Sequence, residues 1–201
     1  MTNDHLKNLL TGPDVVKIAR SLLGMSLCST IEGVYTEGII VETEAYSGRS
    51  DKACHAHLGK FTKRTKVMYE KGGTAYVYLC YGIHHLVNVV TNEKGIADAV
   101  LIRALMPTEG IDMMRKRVNK EKPIHQLCNG PGKLSKALGI NKVHNEMDLL
   151  HSSTLYIKPN VKEINEELIV STTRIGIDYA EEDKYLNWRF YLKNNKAVSL
   201  Y

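Results

Sequence analysis

The amino-acid sequence predicts an α+β fold: a single mixed domain over residues 1–201, with helices around a curved antiparallel β-sheet and one protruding β-hairpin. Three observations support this prediction. Short alternating segments follow one another across tight turns, as in an antiparallel meander. Helical segments stand between groups of strands, with no regular strand–helix alternation and no glycine-rich dinucleotide motif. A length of 201 residues is typical of one domain.

The first predicted elements are a helix and a pair of strands. Residues 13–23 carry apolar side chains near helical spacing, and Gly24 follows where a glycine commonly ends a helix. Residues 25–31 and 35–46 alternate as strands, and the turn at Gly33 between them predicts antiparallel pairing.

A long polar segment, residues 47–72, follows the second strand and is rich in lysine, arginine and histidine. It shows little periodicity. A connection of this length inside a domain is usually functional or mobile. The alternative is a solvated loop of variable sequence.

The middle of the chain predicts a three-stranded meander. Residues 73–82 alternate cleanly, with Tyr76, Tyr78 and Cys80 on one face. The strands 85–90 and 97–104 follow across glycine-containing turns.

The remaining elements are short. A basic helix is expected at 108–118, and the glycine-rich turn in 129–139 leads into another short helix. Further strands are expected at 154–158, 168–177 and 188–193.

Composition limits the function classes. A net charge of +5 with a pI of about 8.9 favours an anionic partner. Four widely spaced cysteines predict neither a zinc knuckle nor a disulfide framework. No signal peptide or membrane-spanning apolar run is evident, so we expect a soluble protein of the cytoplasm, associated with the nucleoid in a bacterium or located in the nucleus of a eukaryote.

The segment VETEAYSG, residues 41–48, raises the question of whether its two glutamates take part in catalysis. As a strand it places Glu42, Glu44 and Tyr46 on one face, directly after an apolar run. Carboxylates two residues apart lie roughly 6–7 Å from each other along a strand, within the range of an acid–base pair. The alternative is that both glutamates face solvent, which is the commoner fate of charged strand residues.

Other polar and aromatic groups allow weaker hypotheses. The pairs at His55 and His84 lack partners at a recognised zinc-ligand spacing, so surface or core histidines are favoured over a metal site. Tyr76 and Tyr78 could form a stacking platform for nucleobases, or simply an aromatic ladder on an edge strand. In NGPGKL, Lys133 stands beside free amides at a presumed helix start that could hold a phosphate.

Six ordered blocks together resemble the alkyladenine (3-methyladenine) DNA glycosylase family, from about residue 13 to the end of the chain. The blocks are VETEAY (41–46), His55 in the basic segment, GTAYVYLCYG (73–82), the strand with Asn88, LIRALMPTEG (101–110) and NGPGKLSKALGI (129–140). Members of that family remove alkylated or deaminated purines from duplex DNA.

The resemblance implies a role for each matching residue. Glu44 matches the catalytic acid that activates a water, and Arg103 matches an arginine beside it. Tyr46, His55 and Tyr78 match the residues that sandwich the extruded base, and Asn88 one that crowds out guanine's exocyclic amine. Tyr81, at the hairpin tip, matches the intercalating wedge. Glu42 is then expected to pair with a neighbouring cation rather than to catalyse.

Further expectations concern DNA contacts and partners. Ile83 is expected to pack beside the wedge, and Lys133 and Arg64 to contact phosphates, although Arg64-Thr65 and Met68-Tyr69 depart from the residues common in the family. The implied partner is double-stranded DNA containing damaged purines, bound by a monomer without a metal, a cofactor or a membrane.

Two competing hypotheses remain open at this point. A non-catalytic nucleic-acid-binding module would use the basic segment and the tyrosines without Glu44. A hydrolase of free nucleosides would use Glu44 but would not require duplex DNA.

Overall fold

The computed structural model describes residues 3–119, 121–159 and 164–199. Within them lie five α-helices and eight strands. The helices are α1 (Asn3–Leu10), α2 (Val15–Ser21), α3 (Ile111–Val118), α4 (Ile124–Leu127) and α5 (Pro131–Leu138). The strands are β1 (Ser26–Ile31), β2 (Val34–Ser47), β3 (Ala75–Cys80), β4 (His84–Thr91), β5 (Asp98–Glu109), β6 (Leu155–Lys158), β7 (Ile169–Thr172) and β8 (Arg189–Leu192).

All described strands form one antiparallel sheet, so the predicted α+β class is confirmed. Six strands follow the order β3-β4-β5-β2-β1-β6, and β8 pairs with both β2 and β7. Strands β3 and β6 end that path without meeting in the described part of the chain, so the sheet is open. The central strand β2 pairs with β1 along its first half and with β8 along its second half.

Helices cover one face of the sheet and form the main core. Helix α2 begins after Asp14, whose carboxylate accepts hydrogen bonds from the backbone N–H groups of Val16 and Lys17. Its Ile18 joins a cluster of buried side chains contributed by the helices and by β2 to β5. Burial of this apolar surface is the main stabilising contribution to the fold.

Much of the segment 47–72 packs on the opposite face of the sheet, so it is not a solvated loop throughout, and its longest exposed run is residues 58–64. Cys54, Ala56, Val67 and Met68 are buried against residues of β3 to β5. Glycine at position 48 permits a close approach, because a Cβ there would collide with the carbonyl oxygen of Ala97. This segment therefore forms a wall over the meander.

Several boundaries differ from the sequence-based prediction. Helix α1 was not predicted, and β5 continues to Glu109, so the basic helix begins at Ile111 rather than 108. Strand β5 tolerates Pro107 because it lies at an irregularity in the pairing with β2, where its missing N–H is not required. The strand expected at 168–177 ends at Thr172.

Candidate active site

The second half of β2 holds the two glutamates at the centre of the sheet. Glu44 lies opposite Leu101 of β5 on one side and Arg189 of β8 on the other. Thr43 faces the helix layer, where its hydroxyl donates to the carbonyl of Ala19 in α2 at 2.7 Å. Because strand side chains alternate, Glu42 and Glu44 share the face away from the helices, as predicted.

A pairing irregularity brings an arginine to both glutamates. The register of β2 with β5 skips Val41 on one strand and Arg103 on the other. Bulges of this kind redirect side chains and are frequent beside active sites. The Nε of Arg103 lies 3.2 Å from Glu42, and its Nη1 lies 3.2 Å from Oε1 of Glu44.

Glu44 is fully buried and surrounded by donors. Its Oε1 accepts a hydrogen bond from the backbone N–H of Ile175 at 2.9 Å, in addition to the Arg103 ion pair. Its Oε2 accepts one from the hydroxyl of Tyr46 at 2.7 Å. Burial and the neighbouring carboxylate raise the pKa of Tyr46 well above its ordinary value, so the hydroxyl keeps its proton. A carboxylate oxygen accepts more than one hydrogen bond, so Oε2 retains capacity for a water.

Glu42 is the anion of a buried network, which confirms its predicted pairing with a cation. It accepts hydrogen bonds from Arg189 at 2.7 Å and from both the backbone N–H and the hydroxyl of Ser199 at 2.8 Å. Burial acts to raise the pKa of Glu42, but Arg103 and these hydrogen bonds outweigh it and lower the pKa.

A cavity of about 760 Å³ opens in front of Glu44. The carboxylate lies behind its wall, since its three partners Tyr46, Arg103 and Ile175 line the cavity. Much of the remaining lining is aromatic or apolar, and comes from segment 47–72, the β3–β4 hairpin, the start of α5 and residues 175–179. A cavity of this size and character suits a flat organic ligand.

The residues predicted to hold a base all line this cavity. Tyr46, His55, Tyr78 and Asn88 are among its walls. The rings of His55 and Tyr78 meet edge to face with centroids 4.8 Å apart. Buried Asn88 donates from Nδ2 to the carbonyl of Tyr76 at 3.0 Å, which fixes its amide group against the cavity.

His55 is held neutral and in one tautomer. Its Nε2 lies 3.0 Å from Nη2 of Arg64, which is always a donor, and its Nδ1 lies 2.8 Å from the hydroxyl of Tyr76. The Nε2 therefore accepts, and Nδ1 carries the proton. Burial and the positive charges of Arg64 and Lys60 lower the pKa of His55 to about 4.

We expect His55 to make the folded protein sensitive to acid. Its folded pKa of about 4 lies below the unfolded value of about 6.5, so below pH 6.5 the unfolded chain binds more protons and stability falls. Between pH 7 and 4.5, His55 should account for about 2–3 kcal/mol of lost unfolding free energy. Urea denaturation of His55→Gln should show a correspondingly smaller loss.

Exposed His151→Gln is the matched control for that substitution. An equal acid-induced loss in both variants would show that His55 does not carry the effect.

The tip of the β3–β4 hairpin projects into solvent beside the cavity. Tyr81 is 90% exposed and Ile83 is 72% exposed. Tyr81 and Gly82 both have positive φ, +50° and +70°, in the turn closed by the hydrogen bond from Ile83 N–H to the Cys80 carbonyl. A tyrosine in this conformation costs roughly 1–2 kcal/mol, so the turn presents an exposed aromatic ring on a strained backbone.

Arg64 and Lys133, predicted to contact phosphates, both line the cavity. The ammonium of Lys133 donates to Asn129 at 2.9 Å, and burial and Lys122 lower its pKa. The guanidinium of Arg64 lies over the ring of Tyr78, 4.7 Å from its centroid. Their contacts to DNA stay a prediction.

Comparisons with known proteins identify the family of this chain. A sequence model of the methylpurine-DNA glycosylase family matches residues 10–196. The chain belongs to this family. It is 50% identical over 180 residues to a Chlamydia pneumoniae protein, covering 89% of this chain and 90% of the relative. It is 48% identical over 192 residues to a Clostridium tetani protein, covering 92% and 93%. Both relatives are provisionally named 3-methyladenine DNA glycosylase.

Two groups of the glycosylase beside the candidate site were not identified from the sequence. Arg174 is buried between the rings of Tyr46 and Trp188, 4.8 and 5.2 Å from their centroids, and forms an ion pair with Asp51. The available sequence signal was an arginine directly before the apolar residues 175–177. The backbone N–H of Ile175 next to it, which bonds Glu44, leaves no trace in the sequence.

Residues 3–119, 121–159 and 164–199 contain no group of three or more His, Cys, Asp or Glu side chains placed to hold a metal ion. Over the same ranges, the structure has no helix of sufficient length and apolar character to cross a membrane.

Proposed function

We propose that this glycosylase removes alkylated and deaminated purines, 3-methyladenine among them, from double-stranded DNA and leaves an abasic site. The observation that carries the proposal is the buried carboxylate of Glu44, held by Tyr46, Arg103 and the Ile175 N–H behind an aromatic cavity beside the exposed Tyr81. The names of the relatives support the substrate class.

The damaged nucleotide would leave the helix before reaction, since its glycosidic bond is inaccessible within the stack. Tyr81 has the exposure and bulk to fill the gap, and Ile83 stands beside it. The unstacking cost of a few kcal/mol is smaller for weakened pairs, which favours damaged sites.

The extruded purine would enter the cavity lined by Tyr46, His55 and Tyr78. Electron-rich rings favour stacking with electron-poor alkylated bases. Asn88, fixed by its bond to the Tyr76 carbonyl, would crowd the exocyclic amine of guanine. Neutral His55 adds no positive charge to this slot at physiological pH.

In the chemical step, Glu44 would hold a water at Oε2 and take its proton as the water attacks C1′ of the sugar. The carboxylate would also stabilise the oxocarbenium-like transition state. Arg103 fixes the position of Glu44 through its ion pair at 3.2 Å. Cavity, carboxylate and wedge all come from one chain, so we propose that a monomer is sufficient.

We also propose that the enzyme is monofunctional. Strand β2 carries no lysine beside Glu44, and the cavity lysine, Lys133 of α5, donates to Asn129, which precedes that helix. Borohydride should therefore trap no covalent enzyme–DNA adduct. A trapped adduct that disappears in Lys133→Met would contradict this.

A base-release assay tests the proposal. Duplexes with one hypoxanthine or ethenoadenine, methylated genomic DNA and the corresponding free nucleosides would be incubated with the wild-type enzyme, and the released bases quantified. We expect release from duplexes, falling steeply with salt, and none from nucleosides. Binding without release would favour a binding module, and release from nucleosides a nucleoside hydrolase.

Replacing the wedge should weaken base release. We expect Tyr81→Ala to lower the single-turnover rate about 10–100-fold on a stable pair and less on a mismatch, because extrusion from a stable pair costs more. Rates on paired and mismatched hypoxanthine measure this difference. Tyr185→Ala, at a tyrosine that is 70% exposed, is the matched control. Equal losses on both substrates would argue against a wedge.

A further inference from the structure

Arg64 differs in its charge environment from Arg103, which also lines the cavity, and from Arg174, which packs on the lining residue Tyr46. Arg103 pairs with Glu42 and Glu44, and buried Arg174 pairs with Asp51. For Arg64, the described part of the chain provides no carboxylate within ion-pair distance. The charge of Arg64 is therefore not neutralised by an acidic neighbour.

Arg64 also lies where a base would stack. Its guanidinium is over the Tyr78 ring at 4.7 Å, its Nη2 contacts Nε2 of His55 at 3.0 Å, and its Nε donates to the hydroxyl of Tyr76 at 3.3 Å. These contacts use Nε and Nη2. The described residues supply no partner for Nη1, whose two N–H groups can serve a ligand.

We propose that Arg64 is a catalytic residue that stabilises the departing purine, and that it assists neutral damaged bases far more than cationic ones. The inference rests on the proposed function, because it requires the base to occupy this cavity.

The charge on the leaving purine explains the selectivity. When the bond from C1′ to N9 breaks, its electron pair stays on the purine. Water adds to C1′ and gives a proton to Glu44. Neutral hypoxanthine leaves with a negative charge until it is protonated, whereas cationic 7-methylguanine leaves as a neutral molecule.

A fixed cation therefore affects the two substrates differently. Relative to the free enzyme and free DNA, Arg64 lowers the free energy of the transition state for hypoxanthine, whose ring becomes negative. For 7-methylguanine, Arg64 repels the bound cation, and this repulsion disappears as the base becomes neutral. Removing the charge of Arg64 should then leave kcat/KM for 7-methylguanine almost unchanged, apart from the general loss of DNA affinity.

The experiment compares Arg64→Gln with Lys63→Gln, the adjacent exposed cation, which does not line the cavity. Each variant loses one positive charge, so their non-specific DNA affinities should fall similarly. Single-turnover rates would be measured below saturating enzyme, where they report kcat/KM, on duplexes carrying hypoxanthine or 7-methylguanine. In Arg64→Gln we expect the hypoxanthine kcat/KM to fall at least 30-fold more than that for 7-methylguanine. In Lys63→Gln we expect equal small losses.

Equal losses on both substrates in Arg64→Gln would overturn the inference and leave Arg64 as a DNA contact. Release of 7-methylguanine but not hypoxanthine by the wild type would also overturn it. If the wild type releases neither base, the proposed function fails instead. Arg64→Lys, which keeps the charge, should recover part of the hypoxanthine rate, and no recovery would count against electrostatic assistance. Thermal unfolding of each variant confirms that it is folded.

Discussion

Replacing Glu44 by glutamine should lower the rate of base release about 10³-fold or more, while binding to damaged duplex DNA changes little. Glutamine has nearly the shape of glutamate but cannot take a proton from water. It also lacks the negative charge that would stabilise an oxocarbenium-like transition state. Because the substitution removes both contributions, we expect it to have the largest effect on activity.

The hydrogen-bond partners of Glu44 can accommodate a glutamine side chain. A glutamine oxygen in place of Oε1 can still accept from the Ile175 N–H. Its amide nitrogen would then replace Oε2, and the Tyr46 hydroxyl can turn from donor to acceptor. The variant should therefore fold, and a loss of activity can be assigned to chemistry.

Glu37→Gln provides the matched control for Glu44→Gln. Glu37 is also a buried carboxylate of β2, where it accepts from Ser26 at 2.6 Å and pairs with Lys158 at 2.5 Å. It lies roughly 23 Å along the strand from Glu44 and does not line the cavity. Single-turnover release and DNA binding would be measured for both variants. Unchanged release in Glu44→Gln, or an equal loss in Glu37→Gln, would rule out the catalytic assignment.

The sequence was sufficient to predict which side chains share one face of β2, and to predict the meander formed by β3, β4 and β5. Alternation alone placed Glu42, Glu44 and Tyr46 together, and the contacts of both glutamates with Arg103 confirm it. The tyrosines of β3 and the exposed tip at Tyr81 followed from the same period of two and from turn chemistry. Local rules succeed here because alternation is a property of each strand by itself, and β3, β4 and β5 follow one another in sequence.

The rest of the site depends on contacts between distant segments. Arg174 reaches Asp51 over 123 positions of sequence, and Ser199 reaches Glu42 over 157. The donor from Ile175 to Glu44 is a backbone N–H, which every non-proline residue carries. Arg103 is left out of the pairing between β2 and β5 because of the register of these two strands, and neither strand specifies that register alone.

Removing the guanidinium of Arg103 should be the most destabilising single substitution in the site. Arg103 is 6% exposed and pairs with both Glu42 and Glu44. Breaking a buried ion pair leaves an uncompensated charge and typically costs about 3–5 kcal/mol. We expect Arg103→Met to lower the free energy of unfolding by that amount in urea denaturation. Arg20→Met, at the surface pair with Glu166, should cost about 1 kcal/mol or less.

A double-mutant cycle identifies which glutamate depends on Arg103. Glu42 retains Arg189 and Ser199 when Arg103 is removed, whereas Glu44 retains the Ile175 N–H and the Tyr46 hydroxyl. If Arg103 holds the carboxylate of Glu44, Arg103→Met should cost about 1–3 kcal/mol less in the Glu44→Gln background than in the wild type. The same cost in both backgrounds would mean that Arg103 stabilises the fold through Glu42, and that Glu44 is positioned by its two neutral donors.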